Sequence, residues 1–395
     1  MEDVSATRRR LKTCMILGSF SFGIMSFILP IYSKRIGGGA MAIGGLFSIF
    51  SVVTLILRPF IGKGIDRYGR KMFFVTAFLF YGISMILFSY STDMFSLYLS
   101  RLIQAIGSSF MWIPAYSIAM DIADEKKRGS AIGQVDGASS RGALYGAAIG
   151  FILLSGSPLI SGWSVLFKCY AVLSIIAAFI AYRYIPETRS AGSRPDTSAS
   201  GSNRLDVNFT KLLLITFISS ISSSMLNPLL IIYLQDRFTA DIGMLAVAFI
   251  PGALVYSFLP SKLGGVSDKF GRIMPMTAGL IGSGIVSLWF THVNSMVFLV
   301  ILWVAESIGV VMSSPAEEAL VSDMVGKDIR GYAYGWYLFV TSLGAAVGPL
   351  AGGWLYDAFG HSIPFYLNGI ILLCDAVLIL VLFKDYKRAD IGTEP

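Results

Sequence analysis

The sequence predicts an all-α integral membrane protein in which twelve transmembrane helices form two parallel six-helix bundles. Three observations predict it. The 395-residue chain is 55% hydrophobic and only 14% charged, with a mean hydropathy of +0.70, whereas soluble globular chains carry about 25% charged residues. Its apolar residues gather into twelve runs, each near the roughly 20 residues that a helix needs to cross a bilayer core about 30 Å thick. The last six runs repeat the first six at an offset of 202 residues.

The predicted spans, in order, are 12–33, 41–62, 72–91, 94–118, 131–154 and 163–184, then 209–234, 243–264, 274–293, 295–320, 332–356 and 361–383. The leading "MEDVSATRRRLK" runs into the first of them without a small-residue cleavage site, as expected of a retained span and not of a signal peptide. Internal Gly and Pro are tolerated in membrane helices. "PETRSAGSRPDTSASGSNRLDVN" (Pro186–Asn208) is rich in Ser, Gly, Pro and charge and reads as a flexible linker. The predicted organisation is therefore an N-terminal bundle over 1–185, a cytoplasmic linker over 186–208 and a C-terminal bundle over 209–395.

Basic residues fix the direction of insertion. One side receives the N-terminus, the 2–3, 4–5, 8–9 and 10–11 loops, the linker and the tail, and with them 24 of the 31 Lys and Arg residues. The opposite side has only Lys34, Arg35 and Arg237. Both termini are expected to be cytoplasmic, in a multi-pass protein of the cell membrane. The net charge of +7 is spread over these short loops, so a nucleic-acid partner is not expected. Cys14, Cys169 and Cys374 have neither disulfide nor metal spacing. No cofactor is expected.

The repeat is carried by charge as well as by glycine. Gly62, Asp66, Gly69 and Arg70 recur as Gly264, Asp268, Gly271 and Arg272. Asp121, Arg128 and Gly129 recur as Asp323, Arg330 and Gly331, and Gly142, Gly146 and Gly150 as Gly344, Gly348 and Gly352. Aspartate and arginine in one register exclude chance matching of glycines. Six spans per repeat relate the halves by an axis along the membrane normal, an arrangement that serves alternating access to a central site.

These motifs resemble those of the major facilitator superfamily. "GKGIDRYGRK" (Gly62–Lys71) is similar to its loop 2–3 signature, "RLIQAIG" (Arg101–Gly107) to its fourth-span motif, and "PET" (Pro186–Thr188) to the triplet that follows its sixth span. The resemblance covers essentially the whole chain. It implies a cytoplasmic gate made of Gly62, Asp66, Arg67, Gly69, Arg70, Asp121, Glu187, Asp268, Arg272 and Asp323. In that gate Arg70 pairs with Asp121 and Glu187, and Arg272 with Asp323, as breakable latches between the halves. Asp66 and Asp268 would each meet a helix start, where a carboxylate gains about 0.3–1 kcal/mol. Residues alone explain only part of this: a tight cytoplasmic turn needs Gly, and inserted loops favour Lys and Arg.

Ionisable residues within spans are the candidates for coupling, because a charge at mid-bilayer costs about 2.5–3.5 kcal/mol. Glu306 stands where the first repeat has Gln104, and a lone Glu in an apolar helix suits reversible protonation. Asp136 and Arg141 are five residues apart and poorly placed to pair on one face, so Asp136 is expected to reach Arg101 or Arg58. The family resemblance ties Arg101 to proton transfer. Glu306, Asp136, Arg101 and Arg141 are the coupling candidates. Structural hydrogen bonding is the competing role for each. Asp375, Glu317 and Glu318 are left without assignment, with a structural role favoured for Asp375. His292 and His361 fall at the ends of spans.

The drug-efflux signature Gly-x-x-x-Gly-Pro-x-x-Gly-Gly is incomplete in span five, "GALYGAAIGF", where Ala147 replaces proline, and complete in span eleven, "GAAVGPLAGG". Ordinary glycine packing is the competing explanation. Trp112, Tyr116, Gln104, Asn227, Trp303 and Trp336 are expected to line a substrate cavity, since aromatic walls with few polar groups suit amphipathic ligands. Helix packing is the alternative role of such aromatics. Nothing resembles an ATP site or a catalytic nucleophile, so an ion gradient is the expected energy source and enzymatic activity is not expected. The sequence thus predicts a monomeric secondary transporter that couples protons, or another ion, to export of small amphipathic molecules. Proton-coupled uptake of a metabolite or organic anion is the alternative.

Overall fold

A computed structural model of the chain describes residues 2–123, 128–156, 158–188, 207–239, 241–259, 270–324 and 330–383. The chain divides into two compact units, Met1–Thr197 and Ser198–Pro395.

In the first unit the helices are α1 (Glu2–Gly18), α2 (Phe22–Arg35), α3 (Ala40–Tyr68), α4 (Arg70–Tyr90), α5 (Met94–Asp121), α6 (Arg128–Ser155) and α7 (Leu159–Tyr184). In the second they are α8 (Val207–Arg237), α9 (Ile242–Phe258), α10 (Ile273–Trp289), α11 (Met296–Asp323), α12 (Arg330–Phe359) and α13 (Ile363–Leu382), with a 3-10 turn at Phe290–His292. Each predicted span carries a helix. Among the described residues, ten helical stretches are long and apolar enough to cross a membrane, with α1 and α2 counted together. Ile242–Tyr256 is apolar but shorter. Asp136, Arg141 and several Ser and Gly dilute the apolar character of α6.

The first span departs from expectation. It starts at Glu2 and breaks into two helices at residues 19–21. The Phe22 N–H bonds the Ser19 carbonyl at 3.0 Å, closing a tight turn. The Ser19 hydroxyl lies 2.8 Å from that of Ser139 on α6. Serines compete with the helical backbone for hydrogen bonds, and α6 approaches closely here. A methyl group at Gly142 would land on the Ile16 carbonyl, and one at Gly146 on the Phe20 carbonyl. In the second unit Gly344 and Gly348 bring α12 equally close to Ser220 and Ile221 of α8, which is unbroken.

Several helix starts are set by the sequence next to them. Asp93 accepts the Ser96 N–H at 2.9 Å in a capping box that opens α5, and Asp241 caps α9 through the Met244 N–H at 2.7 Å. Each unit has its own aromatic core. In the first, Trp163 stacks on Tyr32 at 3.8 Å and donates its indole N–H to the Phe88 carbonyl. In the second, Phe365 stacks on Phe290 at 5.2 Å and meets Tyr233 at 5.0 Å. Phe88 and Trp163 thus have Phe290 and Phe365 as counterparts at the 202-residue offset.

Candidate functional site

The charged turn of the first unit is built around Gly69, which separates α3 from α4 with φ of +92°. That left-handed conformation favours glycine. Gly271, its counterpart, has φ of +75°. A side chain at Gly69 would also collide with the Glu187 carboxylate. Glu187 accepts the backbone N–H groups of Arg70 at 2.9 Å and Lys71 at 3.1 Å, so it caps α4. Arg70 forms an ion pair with Asp121 at the end of α5, and the Thr188 hydroxyl donates to the same carboxylate at 2.6 Å. In the second unit Arg272 meets Asp323 at 3.0 Å.

This corrects one expectation. Both ion pairs are internal to their units, since Arg70 and Asp121 belong to the first and Arg272 and Asp323 to the second, so neither pair links the halves. Asp66 and Arg67 are exposed, and Gly62 has open space around it. Asp268 lies outside the described residues.

Arg101 is buried, at 7% exposure. Its Nε donates to the Leu46 carbonyl at 3.2 Å and its Nη1 to the Gln104 side chain at 2.6 Å. The rings of Phe50 and Phe47 lie 4.3 and 5.3 Å from the guanidinium carbon. No carboxylate among the described residues pairs with it. Carbonyl oxygens and ring faces are the partners that stabilise an arginine in such a box, a ring face contributing about 2 kcal/mol when water is excluded. Gln104 is therefore engaged as the partner of Arg101.

Asp136 does not reach Arg101. It is exposed on α6 and accepts the Tyr116 hydroxyl at 2.6 Å. Tyr116 neighbours Trp112 at 5.6 Å between ring centroids, and Trp112 stacks on Phe22 at 6.2 Å. The first unit therefore joins Phe22, Trp112, Tyr116 and Asp136 into one row of rings ending in a carboxylate. Arg141 is exposed.

In the second unit Glu306 is half-buried, and the Ser283 hydroxyl donates to its backbone carbonyl at 3.1 Å. Trp303, expected to line a cavity, is a packing residue. It is buried against Phe249 at 5.0 Å, and Gly252 leaves room for its ring. Asn227 is exposed, and Trp336 is exposed with its edge toward Phe339. Asp375, left unassigned by the sequence, is 1% exposed and accepts the Ser219 hydroxyl. Glu317 accepts the Thr216 hydroxyl at 2.6 Å. Asp375 could have been suspected from one signal, a lone acid amid "LLCDAVLIL".

The sequence pattern described as the Major Facilitator Superfamily matches residues 13–208 and again 212–395. The chain is 26% identical over 385 residues to "Multidrug resistance protein 1" of Bacillus subtilis (strain 168), covering 96% of this chain and 97% of the relative. It is 22% identical over 386 residues to "Multi-drug resistance efflux pump PmrA homolog" of Lactococcus lactis subsp. lactis (strain IL1403), covering 95% and 94%. In fold it resembles the crystal structure of a bacterial homolog to the human lysosomal transporter Spinster, with a TM-score of 0.81 at 18% identity and 99% of each chain covered.

Proposed function

The chain belongs to the major facilitator superfamily of membrane transporters, and from that premise we propose that it is a secondary active transporter that exports small amphipathic organic molecules by alternating access in exchange for protons. The observation that carries this reading is the near full-length likeness to relatives named for multidrug resistance and efflux. The row Phe22–Trp112–Tyr116–Asp136 supports it. Ring faces hold apolar bodies with little demand for fixed polar partners, and a carboxylate at the end of the row suits a cationic head. Glu306 and Asp136 are the acids proposed to exchange protons, with Arg101 and Arg141 as charges that bias them. The ion pairs Arg70–Asp121 and Arg272–Asp323 are proposed to fix the 2–3 loop and its repeat within each unit while the units move. The same reading has the protein act in the cell membrane as a monomer, both termini cytoplasmic, with 1–185 and 209–395 as bundles joined by 186–208.

A second reading is favoured by Arg101, a buried cation without a carboxylate partner among the described residues. Such a group suits an organic anion taken up together with protons.

Everted membrane vesicles separate the two. With an imposed proton gradient followed by a pH-sensitive dye, amphipathic cations are expected to dissipate the gradient through the native protein and not through Glu306→Gln. Dissipation only when an organic anion is preloaded in the vesicle lumen, so that anion and proton leave together, would turn the reading to uptake. An unmoved dye with every class of solute would overturn proton coupling.

A further inference from the structure

One face of α8 carries a ladder of hydroxyls. Thr216, Ser219 and Ser222 are spaced three apart, so they stack on one side of the helix at about 4.5 Å per step. Each donates to a polar side chain on another helix of the same unit. Thr216 donates to Glu317 on α11, Ser219 to Asp375 on α13 and Ser222 to Asn368 on α13 at 2.7 Å. Asn368 passes the chain on to Ser287 of α10 at 3.0 Å. Two carboxyls are thus held against the same helix face, one turn apart.

A cavity of about 180 Å³ opens beside this ladder. Six serines line it, Ser219, Ser283 and Ser313 among them, together with Thr341 and Glu317. None of its lining residues is basic. The other titratable groups nearby are Tyr337 of α12, which also lines it, and the exposed Glu318.

Three arguments point to an occupant. Hydroxyl donors solvate a carboxylate without neutralising it, and two uncompensated anions inside a membrane bundle are costly. The fold does not require polar groups at these places. At the 202-residue offset the first unit has Ala115, Leu173 and Leu166 where the second has Glu317, Asp375 and Asn368, and Ala115 and Leu166 are fully buried. The space, and a lining whose side-chain polar atoms are all oxygens although Leu280, Val310 and Leu372 also border it, fit a small hard cation with a few waters, each water filling about 30 Å³.

We propose that Glu317 and Asp375, with the Ser219 hydroxyl and the serine-lined cavity, bind one monovalent cation inside the C-terminal unit, either a proton or a sodium ion. As the seat of the coupling ion this rests on the transport reading above. Its occupancy, however, is measurable without substrate.

The test uses the full chain in lipid nanodiscs. Thermal unfolding is followed in sodium chloride and in choline chloride at equal ionic strength, and infrared difference spectra are recorded between acid and alkaline pH. A sodium-specific rise in Tm that Asp375→Asn and Glu317→Gln abolish identifies sodium. A protonated-carboxyl band that either substitution removes, with no sodium effect, identifies the proton. If neither substituted protein folds, Ser219→Ala, which spares both carboxyls, is expected to weaken the sodium response or move the pH at which the band titrates. Indifference to sodium together with a carboxyl spectrum unchanged by any of these substitutions overturns the proposal. A protein that shows the cation signal yet moves no solute in vesicles keeps this site and loses the export reading, and the converse result does the reverse.

Discussion

Glu187 occupies the space that a side chain at Gly69 would need, and from there it accepts the first two N–H groups of α4. One glycine thus meets two demands, a left-handed backbone and a vacancy for a carboxylate that lies 118 residues on. Gly69→Ala is expected to destabilise the protein by about 1–3 kcal/mol from backbone strain and collision. Glu187→Ala should cost about 1 kcal/mol as a lost cap. Because the two act on one spot, the double substitution should cost clearly less than the sum. Thermal unfolding of the detergent-solubilised protein gives all three values, and strict additivity would show that Glu187 does not cap α4.

The two loop ion pairs should differ in strength. Both are partly exposed, so each is worth at most about 1 kcal/mol. Asp121 also holds Thr188, whereas Asp323 is joined to Arg272 alone among the described residues. Asp121→Asn is therefore expected to lower Tm more than Asp323→Asn. If the Arg70–Asp121 pair serves to position the loop, exchanging the partners in Arg70→Asp with Asp121→Arg should recover transport lost in either single variant. No recovery would mean that each residue acts through something other than the pair.

The glycines of α6 and α12 sort by what surrounds them. A methyl group at Gly146 would meet the Phe20 carbonyl in the break between α1 and α2, and one at Gly348 the Ile221 carbonyl of α8, whereas Gly133 and Gly335 have nothing within 4 Å. Gly146→Ala and Gly348→Ala are expected to cost about 1–3 kcal/mol by overpacking. Gly133→Ala and Gly335→Ala should be neutral or stabilising by up to about 1 kcal/mol, the usual helix preference for alanine. A urea or thermal series on the four variants checks this. Equal effects would detach the glycine pattern from close helix approach.

Much of this architecture was legible in the sequence, because membrane spans are written in local composition. The twelve runs, the repeat and the paired Asp and Arg of the loops need no knowledge of neighbours in space. What escaped depends on partners far along the chain. The break at residues 19–21 reflects Ser139 and the approach of α6, 120 residues away. Trp303 reads as a cavity wall until Phe249 and Gly252 are seen to enclose it. Asp136 was expected to meet an arginine and meets a tyrosine instead, since Arg101 is already satisfied by Leu46 and Gln104. For Asp375, nothing local reveals that Ser219 and Thr216 hold two acids against α8.

Arg101 offers the sharpest separation of charge from geometry. Its guanidinium reaches the Leu46 carbonyl with one nitrogen and Gln104 with another while lying 4.3 Å from the centre of the Phe50 ring. Lysine keeps the charge on a single nitrogen at the end of a flexible stem and cannot satisfy both acceptors in that plane. Arg101→Lys should therefore lose one charged hydrogen bond, about 1.5–3 kcal/mol of stability, while retaining a positive centre in the box. Arg101→Gln should lose a similar amount of stability and the charge as well. If the charge is what the transport cycle uses, transport per folded molecule should survive in Arg101→Lys and vanish in Arg101→Gln. Tm and vesicle transport measured on the same preparations decide it. Equal transport by both variants, after correction for folded protein, would reduce Arg101 to a clamp between α3 and α5.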